Sequence, residues 1–287
     1  MAPEVKTVRA NERPSDANAA AAAAMSAAIA KYPDAPVSLP DLVTLPGGLV
    51  NGDEIISTAQ VRELNGMAEE ALSRASLPDP RTGVVNSFHY LNTLVTQGTV
   101  KVGEADPKET KKLLGKLLIG DRDAILMGIR IITYGKDLEI PQWECPSCGE
   151  LSDLTIDLTE DVSTKTLKSP DEAAFEVELN RGKVAAVRLP NGEDQLAIGE
   201  NPKATTAERN TILLQRCIST ITSPDGHIQS MAGFPSLARE MSIPDRRKVL
   251  REVAERQPGP QFDEVKLTHA ACGNEVTLAL GIADLFL

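Results

Sequence analysis

The sequence predicts an α+β protein built from two similar halves, and three observations lead to this prediction. Short apolar runs with strand character alternate with segments whose apolar residues recur at helical spacing, which is typical of α+β folds. A second set of strands and helices follows the first in the same order. Each set ends in a pair of metal-binding residues separated by two positions, and we expect the two pairs to meet as a zinc ribbon.

The composition indicates a globular protein with an aliphatic core. Of the 287 residues, 41% are hydrophobic, 25% are charged and 3% are aromatic. The formal net charge of −11 and the lack of a Lys/Arg cluster argue against a nucleic-acid-binding surface. No apolar run approaches about 18 residues and no signal segment opens the chain, so we expect a soluble, intracellular protein without membrane contact.

The first 36 residues differ from the rest because they contain a nearly continuous alanine run. This run extends from Ala17 to Ala30 and is followed by the turn-forming segment 32–36. Alanine favours helix, but the segment offers little apolar surface to bury. We therefore expect residues 1–36 to form a mobile tail, with a helix that docks on a partner as the alternative.

Residues 37–160 are predicted to form the first half. Its start contains short apolar runs separated by Gly47-Gly48 and Asn51-Gly52, which predict a β-hairpin or meander. Four helical patterns follow, over Met67–Ala75, over Gly83–Thr96, from Asp106-Pro107 onward, and from Asp121 to Gly135. Strand patterns over 138–143 and 154–158 then flank the first metal pair.

Residues 161–287 are predicted to repeat the first half. From the last helix of each half onward, matching residues differ by 124 in number. The matched positions are Ile119 and Ile243, Asp121 and Asp245, Arg122 and Arg246, Gly135 and Gly259, Cys145 and His269, and Cys148 and Cys272. Further upstream an offset of 126 aligns Asn65-Gly66 with Asn191-Gly192. The chain is therefore predicted to be an internally duplicated pseudo-dimer, each half combining a β-hairpin or meander, helices and a zinc knuckle.

One local signal conflicts with this repeat inside the first hairpin. The segment Ser57–Gln60 fits a helix capping box, yet its counterpart lies in a convincing alternating hairpin over 175–189. We therefore predict a strand over Glu54–Leu64. The second half is also predicted to contain one long helix, Thr205–Thr222, with Cys217 packed as a small hydrophobe on its apolar face.

Two pairs of residues form the predicted metal site, Cys145 with Cys148 and His269 with Cys272. A glycine follows each pair and permits a tight turn around an ion. Three cysteines and one histidine form a closed tetrahedral set of the kind that structural zinc sites use, which leaves no coordination position for a substrate. The alternatives are a redox dithiol at the two CxxC cysteines and a strand histidine that binds no metal.

No other group of residues indicates catalytic chemistry. His89 and His227 have no partner at a diagnostic spacing, and the sequence contains no phosphate loop, dinucleotide fingerprint or nucleophile elbow. The pairs Asp121-Arg122 and Asp245-Arg246 are interpreted as helix N-caps followed by surface or inter-half salt bridges. We therefore predict that the protein is not an enzyme.

One group of motifs in each half carries a resemblance to a known family. The first half carries Leu118–Asp123, Ile129–Ile131, Thr133–Gly135 and Cys145–Gly149. The second half carries an Asp-Arg helix, Pro258-Gly259-Pro260, Cys272-Gly273 and Leu285-Phe286. This combination resembles the baseplate-hub assembly proteins of contractile-tailed, T4-like phages, over most of residues 40–287. That family usually carries a second Cys-x-x-Cys, whereas this chain has His269 at the first of those positions.

The resemblance implies a non-enzymatic protein that helps to assemble the central hub of a phage tail baseplate, as a transient chaperone or as a lasting component. It implies other tail and baseplate hub proteins as partners, in the host cytoplasm during virion assembly or in the baseplate of the virion. The alternative function is a zinc-ribbon protein that binds nucleic acid or regulates transcription, and a metallohydrolase is a third. Acidic residues around the first metal pair argue against nucleic acid, namely Glu144, Glu150, Asp153 and Asp157.

Overall fold

The computed structural model describes residues 41–80 and 82–286. These residues belong to one compact unit that spans residues 40–287. The predicted alanine-rich tail, residues 1–36, lies outside the described residues. Among the helices that are described, none is both long enough and apolar enough to cross a membrane.

In the first half, a β-hairpin is followed by two helices, a third strand, two further helices and a second hairpin. The elements are β1 (Asp41–Asn51), β2 (Glu54–Val61), α1 (Gly66–Ala75), α2 (Ser87–Gly98), β3 (Thr99–Val102), α3 (Pro107–Lys116), α4 (Ile119–Tyr134), β4 (Asp137–Glu144) and β5 (Leu151–Asp157). Strands β1, β2 and β3 form an antiparallel sheet in that order, and β4 pairs with β5. The strand predicted in place of a capping box is confirmed as β2.

The second half has the same succession of elements, with three short strands added. The elements are β6 (Thr164–Lys165), β7 (Ala174–Glu178), β8 (Val184–Arg188), α5 (Gly192–Gly199), α6 (Thr206–Cys217), β9 (Ile218–Thr222), β10 (Ile228–Ser230), α7 (Leu237–Glu240), α8 (Ile243–Arg256), β11 (Gly259–Pro260), β12 (Val265–Thr268) and β13 (Glu275–Leu278). The order in its main sheet is β10-β9-β8-β7, whereas β12 pairs with β13 and β11 with β6. The described part of the chain is thus a mixed α+β fold with several small sheets.

Three aliphatic cores hold these elements together. In the first half the sheet packs on α2, α3 and α4, and residues such as Leu113 and Ile125 are fully buried. The second half has an equivalent core that includes Cys217, which is buried as predicted. A third core combines residues of both halves, namely Leu138, Ile156, Leu158, Val162, Phe262, Val265 and Leu285. Because burying one such side chain contributes about 1.5–3 kcal/mol, this shared core fixes the β4–β5 hairpin against the second half.

Two predicted helix boundaries differ from the structure by about four or five residues. The helix predicted over Gly83–Thr96 begins only at Ser87, where Asn86 caps it. The long helix predicted over Thr205–Thr222 ends at Cys217, because the next five residues form β9 and pair with β8. Isoleucine and threonine dominate that segment, and both fit a half-buried strand better than a helix once a neighbouring strand is present.

The interpretation of the two aspartates as N-caps is wrong. Helix α4 begins at Ile119 and α8 at Ile243, so Asp121 and Asp245 each occupy the third helical position. Ser242 caps α8, whereas no side chain caps α4. Both aspartates instead accept backbone N–H groups from the hairpin of their own half, at 2.6 Å from Gly47 and 2.8 Å from Asn180.

The interpretation of the two arginines as salt-bridge partners is also wrong. Within the described residues neither Arg122 nor Arg246 forms an ion pair, and each instead joins two helices of its own half. Arg122 donates to the carbonyl oxygen of Leu114 at 2.7 Å and to Oδ1 of Asn92 at 3.0 Å. Arg246 makes the matching bonds, to the carbonyl oxygen of Ala238 and to Oγ1 of Thr211. The two matched arginines therefore share a hydrogen-bonding role inside their own half, and they are not surface ion-pair partners.

A short β-bridge joins the halves in front of two helices. It pairs Leu118 with Asn191 in antiparallel orientation. We refer to residues 190–192, which lead into α5, as the docking segment, and to residues 117–119, which lead into α4, as the receiving segment. Helix α5 of the second half then packs on α2, α3 and α4 of the first.

A second close contact between the halves involves Gly120 and Gly259, which both belong to motifs described above. A Cβ atom placed on Gly120 would lie 1.6 Å from the carbonyl oxygen of Pro258, and one on Gly259 would lie 2.6 Å from the Cα atom of Gly120. Any larger residue would separate the backbones. The start of α4 is thereby held against the strand β11 of the other half.

Candidate metal centre

The first metal pair lies in the turn of the β4–β5 hairpin. The N–H of Cys145 donates to the carbonyl oxygen of Glu150 at 2.9 Å, and the N–H of Gly149 donates back to Cys145 at 2.8 Å. Gly149 has a φ of 73°, a conformation that strains any side chain. These bonds curl the backbone so that Cys145 and Cys148 project from the same side of the turn.

The second metal pair lies in an equivalent turn between β12 and β13. The N–H of His269 donates to the carbonyl oxygen of Asn274 at 2.9 Å, and the N–H of Gly273 donates to His269 at 2.8 Å. Gly273 has a φ of 70°. Every one of these residues stands 124 positions after its counterpart in the first turn, so the two turns have the same backbone bonding.

The structure brings the four predicted ligands together. Their sulfur and nitrogen atoms all lie within 4.8 Å of one another. The Sγ atoms of Cys145 and Cys272 are 4.0 Å apart. The Nδ1 atom of His269 lies 3.3 Å from Cys272 Sγ and 3.6 Å from Cys148 Sγ. Each hairpin therefore supplies two ligand atoms to one small cluster.

These separations fit a tetrahedral metal ion. Zinc bonds of about 2.3 Å to sulfur and about 2.0–2.1 Å to nitrogen imply edges of about 3.8 Å between two sulfurs and about 3.6 Å between sulfur and nitrogen. The observed edges of 3.3, 3.6 and 4.0 Å lie close to these values. The remaining separations do not exceed 4.8 Å, so the four donor atoms can close on an ion of this kind with shifts of up to about 1 Å.

Two neighbours orient the histidine ring. Ser152 Oγ lies 3.0 Å from His269 Nε2, which leaves Nδ1 facing the sulfurs. The Trp143 ring meets the imidazole edge to face, with centroids 5.8 Å apart. Trp143 and Ser152 are opposite each other in the β4–β5 register. Sequence reasoning missed both residues, and the hairpin register is the signal that identifies them, because paired positions next to a turn share one face.

The site is shielded on one side and open on the other. Cys145 and His269 are each 1% exposed, Cys272 is partly buried and Cys148 is exposed. Burial alone would raise the pKa of Cys145, but backbone N–H groups of Ser147 and Cys148 and the neighbouring thiols lower that pKa below its usual value. The turn thereby favours the thiolate of Cys145, which is the form that binds metal. The backbone N–H of Glu150 would lower the pKa of Cys148, but desolvation and the neighbouring thiols outweigh it and raise that pKa instead.

The geometry favours a structural metal centre over the chemical alternatives. A metal ion held by all four side chains has no open position for water or substrate, as catalytic zinc requires. A dithiol that exchanges with other disulfides needs only the two CxxC cysteines, yet here His269 and Cys272 lie against them. His89, on α2, and His227, in the turn before β10, are exposed and lie outside this cluster.

A protein-family model described as T4 bacteriophage base plate protein matches residues 100–287, which is about two-thirds of the chain. The matched part contains all four residues of the candidate metal centre. No match was found among curated proteins or among solved structures.

Proposed function

Because the chain belongs to the T4 bacteriophage base plate protein family, we propose that it is a non-enzymatic protein that helps to build the hub of the tail baseplate. It acts there as an assembly chaperone or as a component of the hub. The observation that carries the proposal is the cluster of four donor side chains, two from each hairpin, with all ligand atoms within 4.8 Å of one another. An ion held by all four would join the hairpins and have no open position for chemistry. The surfaces that this joint holds in place then bind other baseplate proteins.

The proposal includes an internal duplication clamped by zinc. Two features support it beyond the order of elements. The turns at Cys145 and at His269 have the same pair of backbone hydrogen bonds. Arg122 and Arg246 each donate hydrogen bonds to two other helices of their own half. In this organisation residues 37–160 and 161–287 are two copies of one domain, and zinc joins their ends.

Metal analysis of the purified protein tests the clamp. We expect about one zinc ion per chain, and we expect the variant Cys148→Ser to lose most of it, because a serine hydroxyl is a poor substitute for a thiolate. Cys217→Ala is the matched control, since Cys217 is buried in the second core away from the cluster. Elemental analysis after dialysis against metal-free buffer measures both.

Two results would contradict the clamp. Wild-type protein that purifies without stoichiometric metal, and does not take up zinc when refolded with it, has no such centre. Equal zinc loss in Cys148→Ser and Cys217→Ala would show that general destabilisation, and not a missing ligand, releases the ion.

Phage genetics combined with particle analysis tests the role in the baseplate. We expect infection by a phage that lacks this chain to yield heads without functional tails, and we expect complementation to restore them. Mass spectrometry of finished particles then separates the two forms of the role. A fixed copy number identifies a hub component, and absence from particles identifies a chaperone. Normal baseplates in the absence of the chain would overturn the proposed function altogether.

A further inference from the structure

Two backbone hydrogen bonds attach the docking segment of the second half to the receiving segment of the first. The N–H of Ile119 donates to the carbonyl oxygen of Pro190 at 3.1 Å. The N–H of Gly192 donates to the carbonyl oxygen of Leu117 at 3.0 Å. Ile119 and Gly192 are the first residues of their helices, where an N–H group has no partner inside the helix. The contact thus satisfies groups that each helix leaves open.

Each segment has a counterpart in the other half. Residues 64–66 lead into α1 and form the free docking segment, and residues 241–243 lead into α8 and form the free receiving segment. Two-fold symmetry between the halves would join these two segments as well. Within the described residues no backbone hydrogen bond does so. The halves are therefore packed head to tail at this contact, and one segment of each kind remains unused.

The surroundings of matched residues differ accordingly. A Cβ atom on Gly192 would lie 2.6 Å from Nη1 of Arg122, whereas a Cβ atom on Gly66 would have no atom within 4 Å. Ile119 is partly buried, whereas Ile243 is 66% exposed. The same residue types therefore contact a partner in the joined pair and face solvent in the free pair.

Both free segments border grooves, and the grooves differ in charge. The free docking segment lines a groove of about 580 Å³ whose charged side chains are Glu63 and Glu69. The free receiving segment lines a groove of about 600 Å³, which adjoins a cavity of about 330 Å³. The charged side chains along these two are Arg181, Lys183, Arg247, Lys248 and Arg251, with Glu178, Glu240 and Asp245. The larger groove carries equal numbers of cations and carboxylates, and the adjoining cavity holds the excess of cations. Taken together, this receiving side is therefore electrostatically complementary to the acidic docking groove.

We propose that the free receiving segment of one molecule binds the free docking segment of a second copy of this chain. The N–H of Ile243 then donates to the carbonyl oxygen of Leu64, and the N–H of Gly66 donates to that of Met241, which repeats the internal contact. Because this interface is head to tail, copies add to one another in a ring or a filament. The proposal rests on the two-copy organisation proposed above, but not on zinc or on the role in the baseplate.

The test measures the mass of the full-length, zinc-loaded chain in solution. We expect sedimentation velocity to show species larger than a dimer as the protein concentration rises. Added salt weakens this association, because the complementary charges are exposed and therefore screened. A chain that remains monomeric over the whole accessible concentration range would overturn the proposal and leave the grooves to another baseplate protein.

Two variants separate the two sides of the interface. Gly66→Arg fills the free docking segment and Ile243→Asp places a charge on the free receiving segment. Neither position is packed in the monomer, so we expect both variants to fold, which circular dichroism checks. We expect each to raise the apparent dissociation constant at least about tenfold, which corresponds to about 1.4 kcal/mol.

An equimolar mixture of the two variants gives the decisive result. Gly66→Arg keeps its receiving side and Ile243→Asp keeps its docking side, so the mixture forms a dimer that neither variant forms alone and that does not grow. Val50→Asp is the control, because Val50 is 54% exposed at the tip of the β1–β2 hairpin and lines neither groove. If the wild-type chain associates but the mixture forms no dimer, the contact is elsewhere and the proposal fails.

Discussion

Asp121 and Asp194 are both fully buried, but their surroundings shift their pKa values in opposite directions. Burial raises the pKa of Asp121 to about 6, against the opposing effect of the backbone N–H of Gly47. Burial would also raise the pKa of Asp194, yet Arg188 and Arg216 bind its two oxygens at 2.6–2.9 Å and hold that pKa below its usual value. The charge on Asp121 therefore destabilises the folded state, whereas the charge on Asp194 stabilises it.

This difference predicts a pH dependence of stability at Asp121. The folded pKa of about 6 lies above the unfolded value of about 4, so the charge destabilises the fold above pH 6 and ceases to do so below pH 4. We expect Asp121→Asn to be more tolerated at pH 7 than at pH 5. Relative to the variant, wild-type protein gains up to about 2–3 kcal/mol in the free energy of unfolding as the pH falls. Urea denaturation at several pH values measures this.

Asp194→Asn provides the opposite control. Its folded pKa is depressed, so the carboxylate stabilises the fold above pH 4 and this contribution is lost as the pH falls through the folded pKa. The variant is therefore most damaging near pH 7, where it leaves Arg188 and Arg216 without their anion. Parallel pH profiles for the two variants would show that burial alone, and not the bonding partners, decides their behaviour.

At the scale of elements, helices and hairpins with strong local signals were predictable from the sequence. Asn65 and Asn191 both cap a helix and stand at matched positions, and the alternating hairpin around β7 and β8 is present in register. The segment 218–222 was not predictable in the same way, because its apolar residues fit a helical face as well as a strand. Only the neighbouring strand β8 decides between the two.

The contact between the docking and receiving segments predicts that alanine substitution at two matched glycines, Gly192 and Gly66, has different effects on stability. A Cβ atom on Gly192 would lie within 2.9 Å of the carbonyl oxygen of Leu114 as well as touching Arg122, so Gly192→Ala forces the helices apart. We expect this variant to lose about 1–3 kcal/mol in the free energy of unfolding. Gly66→Ala meets no atom and changes stability by less than about 1 kcal/mol, in the stabilising direction. Chemical denaturation of dilute protein compares them.

Equal effects at the two glycines would contradict the head-to-tail packing of the halves. Loss of stability in Gly66→Ala alone would mean that the free docking segment is covered in solution. Comparing the two alanine variants in one buffer keeps all other contributions constant, because both substitutions add one methyl group at the first position of a helix.

At the scale of the whole molecule, the constant offset between matched residues allowed the clustering of the four candidate ligands to be predicted. It pairs Cys145 with His269 across the chain, and the structure brings these residues together. Ser152 and Trp143 escaped prediction because their role depends on the hairpin register and on the approach of the second hairpin. The third core, which both halves share, could not be predicted either, because periodicity identifies an apolar face but not the surface that covers it.

The shared core and the candidate metal centre together predict that bound zinc would couple the halves. Metal binding at a site that forms only on folding adds to the free energy of folding. We expect the zinc-loaded protein to unfold in one transition, and we expect a strong chelator to lower its midpoint by at least about 5 °C, since several kcal/mol are lost. Differential scanning calorimetry with and without chelator measures this, and an unchanged midpoint would contradict the coupling. Restoring zinc afterwards is the control for irreversible damage.

The distance between the ligand pairs along the chain also sets an order of events during synthesis. His269 is made 124 residues after Cys145, and a ribosome that adds about 5–20 residues per second needs about 6–25 s to bridge them. Throughout that delay the first turn offers only two thiolates, which cannot complete a tetrahedral shell. Completion of the proposed four-ligand shell therefore has to wait until the second pair has left the ribosome and reached the first, which makes it one of the final steps of folding.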